Sequence, residues 1–452
     1  MKTVITVIAA AGLIGATFAQ QPNQIAAPGP EDRTLQAPTP SAAVSPEKNR
    51  ELKVLQLSGS GHDRGLQHGR QLRSEITKIL KLWKEDLHNQ SKQDPDSLIQ
   101  SFLAETNFMP AIKKWTPEIL DEVKGIAEGS GQPFETVFAF QLVDEFWVFL
   151  DKRAANRCSA LGVVRSDGHP AYVAQNMDLE SFRDGFQVVL HIAGNESVPE
   201  QFVLTSAGLI ALNGINRHSI AIACNTLMQL SASPDGLPVA FVVRGVLAQT
   251  NGDEALRFVR DIKHASGQNY IIGTGDRIYD FEASAGKIVE FRPVPDGSVV
   301  YHTNHPLVND DLKPLLSADS EKSIVNSQTR LASLQTRLGK PAPAIDEGVI
   351  KETLRSRDSE LHPVCQSLKA GASGFTFGAT IMTLSGAPSL EVTMGPPDVN
   401  PFVRLGFSAG AGHATAAEPP GRKAEGSTPP VQKPAAVGEP AARSPRTPSG
   451  PG

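Results

Sequence analysis

The chain is poor in several things that would have fixed its chemistry early. Only 3 of its 452 residues are cysteine, 4 are tyrosine and 3 are tryptophan, and aromatic residues make up 6%. So few thiols exclude a disulfide-built scaffold, and their wide separation at 158, 224 and 365 excludes clustered thiolate metal sites. His302 and His305 form a close histidine pair, but no carboxylate or thiol lies at ligand spacing, so no metal is expected. No motif for an organic cofactor is present. Net charge is −5 with no basic block in the folded part, which argues against nucleic acid as a partner. Beyond the first residues no apolar run is long enough to span a bilayer, so no membrane span is expected.

The ends differ from the middle. MKTVITVIAAAGLIGATFA carries one lysine, a short apolar stretch and a small-x-small ending, the pattern of a cleaved secretory signal over 1–19. A secreted or periplasmic location follows. Residues 20–51 are a Pro/Ala-rich linker and 409–452 a Pro/Ala/Gly-rich tail, both too poor in apolar residues to offset the entropy of ordering and read as disordered. Between them, 52–408 is one continuous folded domain. Three cysteines allow one bridge, Cys224 with Cys365, or only free thiols; spacing does not decide between them.

In the folded part KVLQLSG alternates as a strand. Glycines at 59, 61, 65 and 69 then mark a turn and a closely packed helix start, and Leu72, Ile76, Ile79, Leu80 and Trp83 recur at helical spacing. TPEILDEVKGIAEGSGQPFETVFAFQLVDEFWVFL predicts two further helices broken at Gly129–Gln132, with Thr116 and Pro117 as N-cap and first-turn pair. From Cys158 the texture becomes short Val- and Ile-rich runs separated by Gly, Asn and Asp, which is a sheet-rich region. Helices return at GLPVAFVVRGVLAQ, NGDEALRFVRDI and SEKSIVNSQTRLASLQTRL, and late strands FTFGATIMTLS and SLEVTMG close the domain. The pattern predicts an α+β fold of two facing sheets with helices outside.

Cys158 opens one of these strands, behind the polar segment DKRAANR. A buried, inert thiol is the ordinary reading of such a cysteine. The alternative is a nucleophile, which needs a base: a distant histidine, or the cysteine's own α-amino group if the chain is cut before it. That amine titrates near pH ~8, much closer to neutrality than a lysine, and so suits general-base work. His68 lies on the glycine-rich helix and reads as structural; His362 has no motif of its own.

Several segments, in order, carry a resemblance: GSGHDRGLQHGRQL, EVKGIAEGSG, CSALGVV, AQNMD, TSAGLIALNGIN with its trailing ACN, HTNHP, and TFGATIMTLS with MGPPD. Together they resemble the acyl-coenzyme A:6-aminopenicillanic acid acyltransferase family of the N-terminal nucleophile hydrolases. The resemblance implies a four-layer αββα sandwich and self-cleavage between Arg157 and Cys158, with the two fragments remaining associated. Cys158 would then form an acyl-thioester from an N-acyl amide. It further implies that Asp178 holds the freed amino group, that Asn304 donates to the oxyanion, and that Gln175, Asn176 and Asn216 contribute to substrate binding. A small-molecule or lipid acyl substrate is implied. CSAL also resembles the phospholipase B-like branch, leaving a lipid or ceramide-like acyl hydrolase as an alternative.

Two departures stand out. Ser219 occupies a place where relatives have glycine, and Gln366 stands where an assisting arginine is expected near VCQS. The second departure raises the reading of an inactive relative that only binds acyl ligands.

Overall fold

Along one strand, Ile220 and Ile222 alternate with Ala221 and Ala223, and all four are buried. Opposite faces of a strand point opposite ways, so such a strand must be covered on both sides. In the computed structural model, which describes residues 50–150, 157–294, 296–313, 318–369 and 371–407, that requirement is met by stacking two sheets between two helical layers. The expected leader, most of the linker, the tail and residues 151–156 lie outside the described residues.

Strand β1 (Val54–Leu57) leads into α1 (Gly61–Gln71), α2 (Arg73–Ser91), α3 (Pro95–Glu105), α4 (Met109–Trp115), α5 (Pro117–Ser130), α6 (Phe134–Phe140) and α7 (Val143–Phe149). Six strands follow: β2 (Ser159–Val163), β3 (Tyr172–Glu180), β4 (Gln187–Ile192), β5 (Gln201–Ser206), β6 (Asn213–Asn216) and β7 (Ile220–Thr226). Next come α8 (Val239–Leu247), α9 (Gly252–Asp261), β8 (Gln268–Thr274), β9 (Arg277–Ala283), β10 (Ile288–Glu290) and β11 (Val299–His302). The chain ends with α10 (Ala318–Leu338), α11 (Glu347–Leu354), β12 (Gly374–Thr383), β13 (Ser389–Val392) and β14 (Val403–Gly406).

One sheet has eight strands in the order β1-β4-β5-β6-β7-β8-β9-β10, and the other has six in the order β11-β2-β3-β12-β13-β14. Only β1 with β4 is parallel; the remaining pairs are antiparallel.

The layers separate by residue parity. Ala221, Ala223 and Ile271 face Ala160, Val173, Met177 and Met382 between the sheets. Ile220, Ile222 and Ile272 turn to the first helices, α8 and α9. On the far side, Leu161, Val163 and Ile381 pack against Leu334 and Leu338 of α10 and Ile350 and Leu354 of α11. Each such fully buried aliphatic side chain contributes about 1.5–3 kcal/mol. The expected four-layer αββα order is therefore the observed one.

The glycine-rich start behaves as its spacing implies. A Cβ on Gly65 would lie 1.9 Å from the Glu122 carbonyl oxygen, and one on Gly125 would lie 2.3 Å from that of His62. Helices α1 and α5 thus touch backbone to backbone. Beneath that contact, the Glu122 carboxylate is buried between Arg64 and Arg244, at 3.0 and 2.6 Å. His68 is structural, its Nε2 accepting from the Gly208 amide at 3.0 Å, and burial holds its pKa down at about 4.

Two details depart from expectation. Thr116 begins α5 without capping it, because its hydroxyl donates back to the Ile112 carbonyl at 3.3 Å. Helices α3, α4 and α11 and the edge strand β14 were not predicted, all of 4 to 11 residues, and the second of the two helices expected after Thr116 is divided into α6 and α7.

Candidate active site

Register brings the site together. Ser159 pairs with Asn176 across β2 and β3, so Cys158 lies level with Met177, whose sulfur is 3.4 Å from the Cys158 thiol. On the other side of β2, His302 pairs with Ala160. Continuing that antiparallel register by two places brings Asn304 level with Cys158. Asp178 follows Met177 on β3, opposite Thr376 of β12.

A residue that sequence reasoning missed joins these parts. Arg330, 1% exposed on α10, donates from Nη1 to the Cys158 carbonyl at 2.5 Å and to Ser159 Oγ at 3.0 Å. Its Nη2 donates to Asn304 Oδ1 at 2.9 Å, and its Nε to Asn326 Oδ1 at 3.0 Å. The arginine expected near Gln366 is thus absent there, but a guanidinium stands at Cys158 from another element. A signal was available: Arg330, Leu334 and Leu338 recur every four residues, so the arginine occupies a core-facing position of an amphipathic helix. Gln366 instead donates its backbone N–H to the Thr376 hydroxyl at 2.8 Å.

The electrostatics are those of a dry site. Burial, and then the neighbouring Asp178 carboxylate, push the Cys158 thiol up to about 12, so it is protonated at neutral pH. Asp178 is fully buried and neither of its carboxylate oxygens makes a well-formed hydrogen bond, although the Thr376 hydroxyl of the facing strand stands beside it. Burial raises its pKa to about 7, against the opposing pull of Arg330, the Thr376 hydroxyl and Arg157. Arg330 is lowered by burial to about 10, with Asp178 acting against that shift; it remains a cation.

Asn304 is held from both ends. Its Nδ2 donates to the Thr226 carbonyl at 3.1 Å, and its backbone amide donates to Ser327 Oγ at 2.7 Å. The second hydrogen on Nδ2 leaves the side chain able to serve a developing oxyanion.

The structure brings Cys158, Asp178 and Asn304 together, and it ties Gln175, Asn176 and Asn216 elsewhere. Gln175 bonds the Cys224 carbonyl and Asn225, and accepts from Asn213 at 2.7 Å, which fastens the two sheets to each other. Asn176 reaches the carbonyls of Leu354 and Val364 at 2.8 and 2.9 Å. Asn216 holds the C-terminal end of α8 through Leu247 and Gln249 at 3.0 and 2.8 Å, and accepts from His218 and Ile220. Their contacts are structural.

His362 Nδ1 accepts from Asn326 Nδ2 at 2.9 Å. His302 and His305 are engaged by Glu282 and Ser327, at 2.9 and 2.7 Å. Cys224 and Cys365 are free thiols, so the bridge considered between them is not made.

Cys158 lines a small cavity of about 40 Å³. Its walls are mostly aliphatic, with Leu209, Leu212, Val239 and Val243 among them, and Asp144, Glu180 and Arg183 supply polar groups. Such walls suit the apolar part of an acyl group next to the reacting carbon.

Residues 164–389 match the family described as acyl-coenzyme A:6-aminopenicillanic acid acyl-transferase. The chain is similar to the 40 kDa form of acyl-coenzyme A:6-aminopenicillanic-acid-acyltransferase of Emericella nidulans, 26% identical over 263 residues, covering 57% of this chain and 71% of that one. Among solved structures, the N-acylethanolamine-hydrolyzing acid amidase ortholog of Caenorhabditis elegans aligns at 16% identity and TM-score 0.36, over 50% of this chain and 92% of its own. Penicillin V acylase from Agrobacterium tumefaciens aligns at 14% identity and TM-score 0.28, over 52% and 83%.

Proposed function

Because the chain belongs to the acyl-coenzyme A:6-aminopenicillanic acid acyl-transferase family, we propose that it is a self-processing N-terminal cysteine amidohydrolase with Cys158 as its nucleophile. The observation that carries this reading is the buried carboxylate of Asp178 beside Cys158, which makes no well-formed hydrogen bond. A buried carboxylate so poorly satisfied is costly and is kept where a cation will meet it. Cleavage before Cys158 creates such a cation in the α-ammonium group.

The steps balance without a cofactor. The Cys158 thiol gives its proton to the Asp178 carboxylate and its sulfur adds to the Arg157 carbonyl carbon. The C–N bond to Cys158 breaks, the nitrogen takes a proton, and a thioester is left, which water hydrolyses to the Arg157 carboxylate. In turnover the free α-amine takes the thiol proton, sulfur attacks the substrate amide, and the protonated amine leaves. Water, or another amine, resolves the acyl-thioester. Asn304 donates to the oxyanion in each addition, and Asp178 holds the ammonium.

Hydrolysis is favoured over transfer from acyl-coenzyme A by the secretory pattern of 1–19, since that donor is not expected outside the cytoplasm. Arg330 at the site weakens the case for an inactive relative. The aliphatic cavity is compatible with N-acyl amides and with lipid-like acyl groups alike.

The test is intact mass and N-terminal sequencing of the purified chain and of Cys158→Ala. A wild-type fragment beginning Cys-Ser-Ala-Leu, absent from the variant, is expected, together with hydrolysis of an N-acyl amide by wild type only. A variant that is cut and active like wild type would overturn the proposal.

A further inference from the structure

The cavity beside Cys158 has one feature that an alkyl chain would leave unanswered. Arg183, which lines it, is 2% exposed, and its Nη1 is buried without any hydrogen-bond partner. Its Nε donates to Glu180 at 2.7 Å, and the guanidinium lies over the rings of Phe140 and Phe182 at 5.1 and 5.3 Å. A buried donor left unmatched is destabilising, and a ligand acceptor would relieve it.

The surrounding charge selects the kind of acceptor. Glu180 already balances Arg183, and the carboxylates of Asp86 and Asp144 both stand within electrostatic reach of that pair. With Glu180 already paired to the guanidinium, a second anion would be buried without a counter-cation of its own. Met177, level with Cys158, is three residues before Glu180 on β3, or roughly 10 Å at about 3.3 Å per residue. Arg183 lies in the turn that follows and lines the same cavity as Cys158.

Resting on the hydrolase reading above, we infer that the preferred acyl group carries a neutral oxygen acceptor, of the ketone, amide or ether kind, which Arg183 Nη1 recognises. Plain alkanoyl chains leave the donor unmatched, and chains ending in a carboxylate meet the acidic surround.

The experiment uses binding, so that it does not depend on turnover. N-methylamides of alkanoic acids are compared by calorimetry with isosteres in which one methylene, at successive positions, is replaced by a carbonyl, on the full-length Cys158→Ala chain. At one position the oxo ligand is expected to bind about tenfold tighter than the hydrocarbon. Arg183→Met in the same background should erase that preference, and Glu180→Gln should raise affinity for a ligand ending in carboxylate. A hydrocarbon that binds as well as or better than every oxo isostere overturns the inference, whether or not either variant folds. An oxo preference in a protein whose wild type hydrolyses no acyl amide would instead overturn the hydrolase reading alone.

Discussion

Arg330 and Asn304 form one unit: the guanidinium that donates to Asn304 Oδ1 at 2.9 Å also donates to the Cys158 carbonyl at 2.5 Å. A single planar group thereby sets the distance between the nucleophile's backbone and the oxyanion donor. Lysine keeps the charge but offers a point donor on a flexible stem, so it cannot span both partners.

Arg330→Lys is therefore expected to slow self-cleavage and amide hydrolysis roughly 10²-fold, the scale of losing one oxyanion donor. Asn304→Ala should do the same. If the two act as one unit, the double variant will be little worse than either single variant. Rates measured by mass spectrometry of the cut fragment provide the check, and multiplicative losses would separate the two residues.

Asp178 makes a prediction about pH. With a pKa raised by burial to about 7 in the uncut chain, its carboxylate is neutral below pH 7 and anionic above. The sign for stability follows: a folded pKa above the unfolded value gives a contribution that is present at acid pH and lost as pH rises through about 7. For cleavage the anion is the useful form, since it can take the thiol proton and then hold the ammonium. Chain purified at pH 5 and shifted upward should cleave faster up to about pH 7 and then level off. In Asp178→Asn, cleavage should be slower and keep rising toward pH 9, because only the thiolate fraction of a thiol that burial still holds above its ordinary value then sets the rate. A levelling near 7 in both chains would remove Asp178 from the reaction.

How far the sequence carried the argument depended on the range of the signal. Alternation in AYVAQNMD and SIAIACNTL reports local burial, and those runs are β3 and β7 as expected. The resemblance brought Cys158, Asp178 and Asn304 into view, and strand register places them together. Gln175, Asn176 and Asn216 share those same segments, yet the partners that tie them down come from β6, β7, α8, α11 and the segment after it, which no local pattern reveals. Arg330 lies 172 residues from Cys158 in the chain, so its role became visible only once α10 was laid against the six-stranded sheet.

Ser219 shows how a departure in sequence turns into a local cost. The family resemblance leads one to expect glycine there, and its φ is +60°, in the left-handed region. It closes the turn between β6 and β7, with its amide directed to the Asn216 carbonyl at 3.2 Å and its carbonyl accepting from Gly275 at 2.9 Å. Both bonds are made by the backbone and survive a change of side chain. A non-glycine residue there costs about 1 kcal/mol or somewhat more, while glycine returns part of that through its greater freedom in the unfolded chain. Ser219→Gly should therefore stabilise the protein by about 0.5 kcal/mol, a rise of roughly 1–2 °C in midpoint. Ser219→Ala retains the Cβ and should give no gain. Calorimetry of the three chains in the Cys158→Ala background separates the effect from chain cleavage, and equal midpoints for Gly and Ala would show that the turn carries no strain.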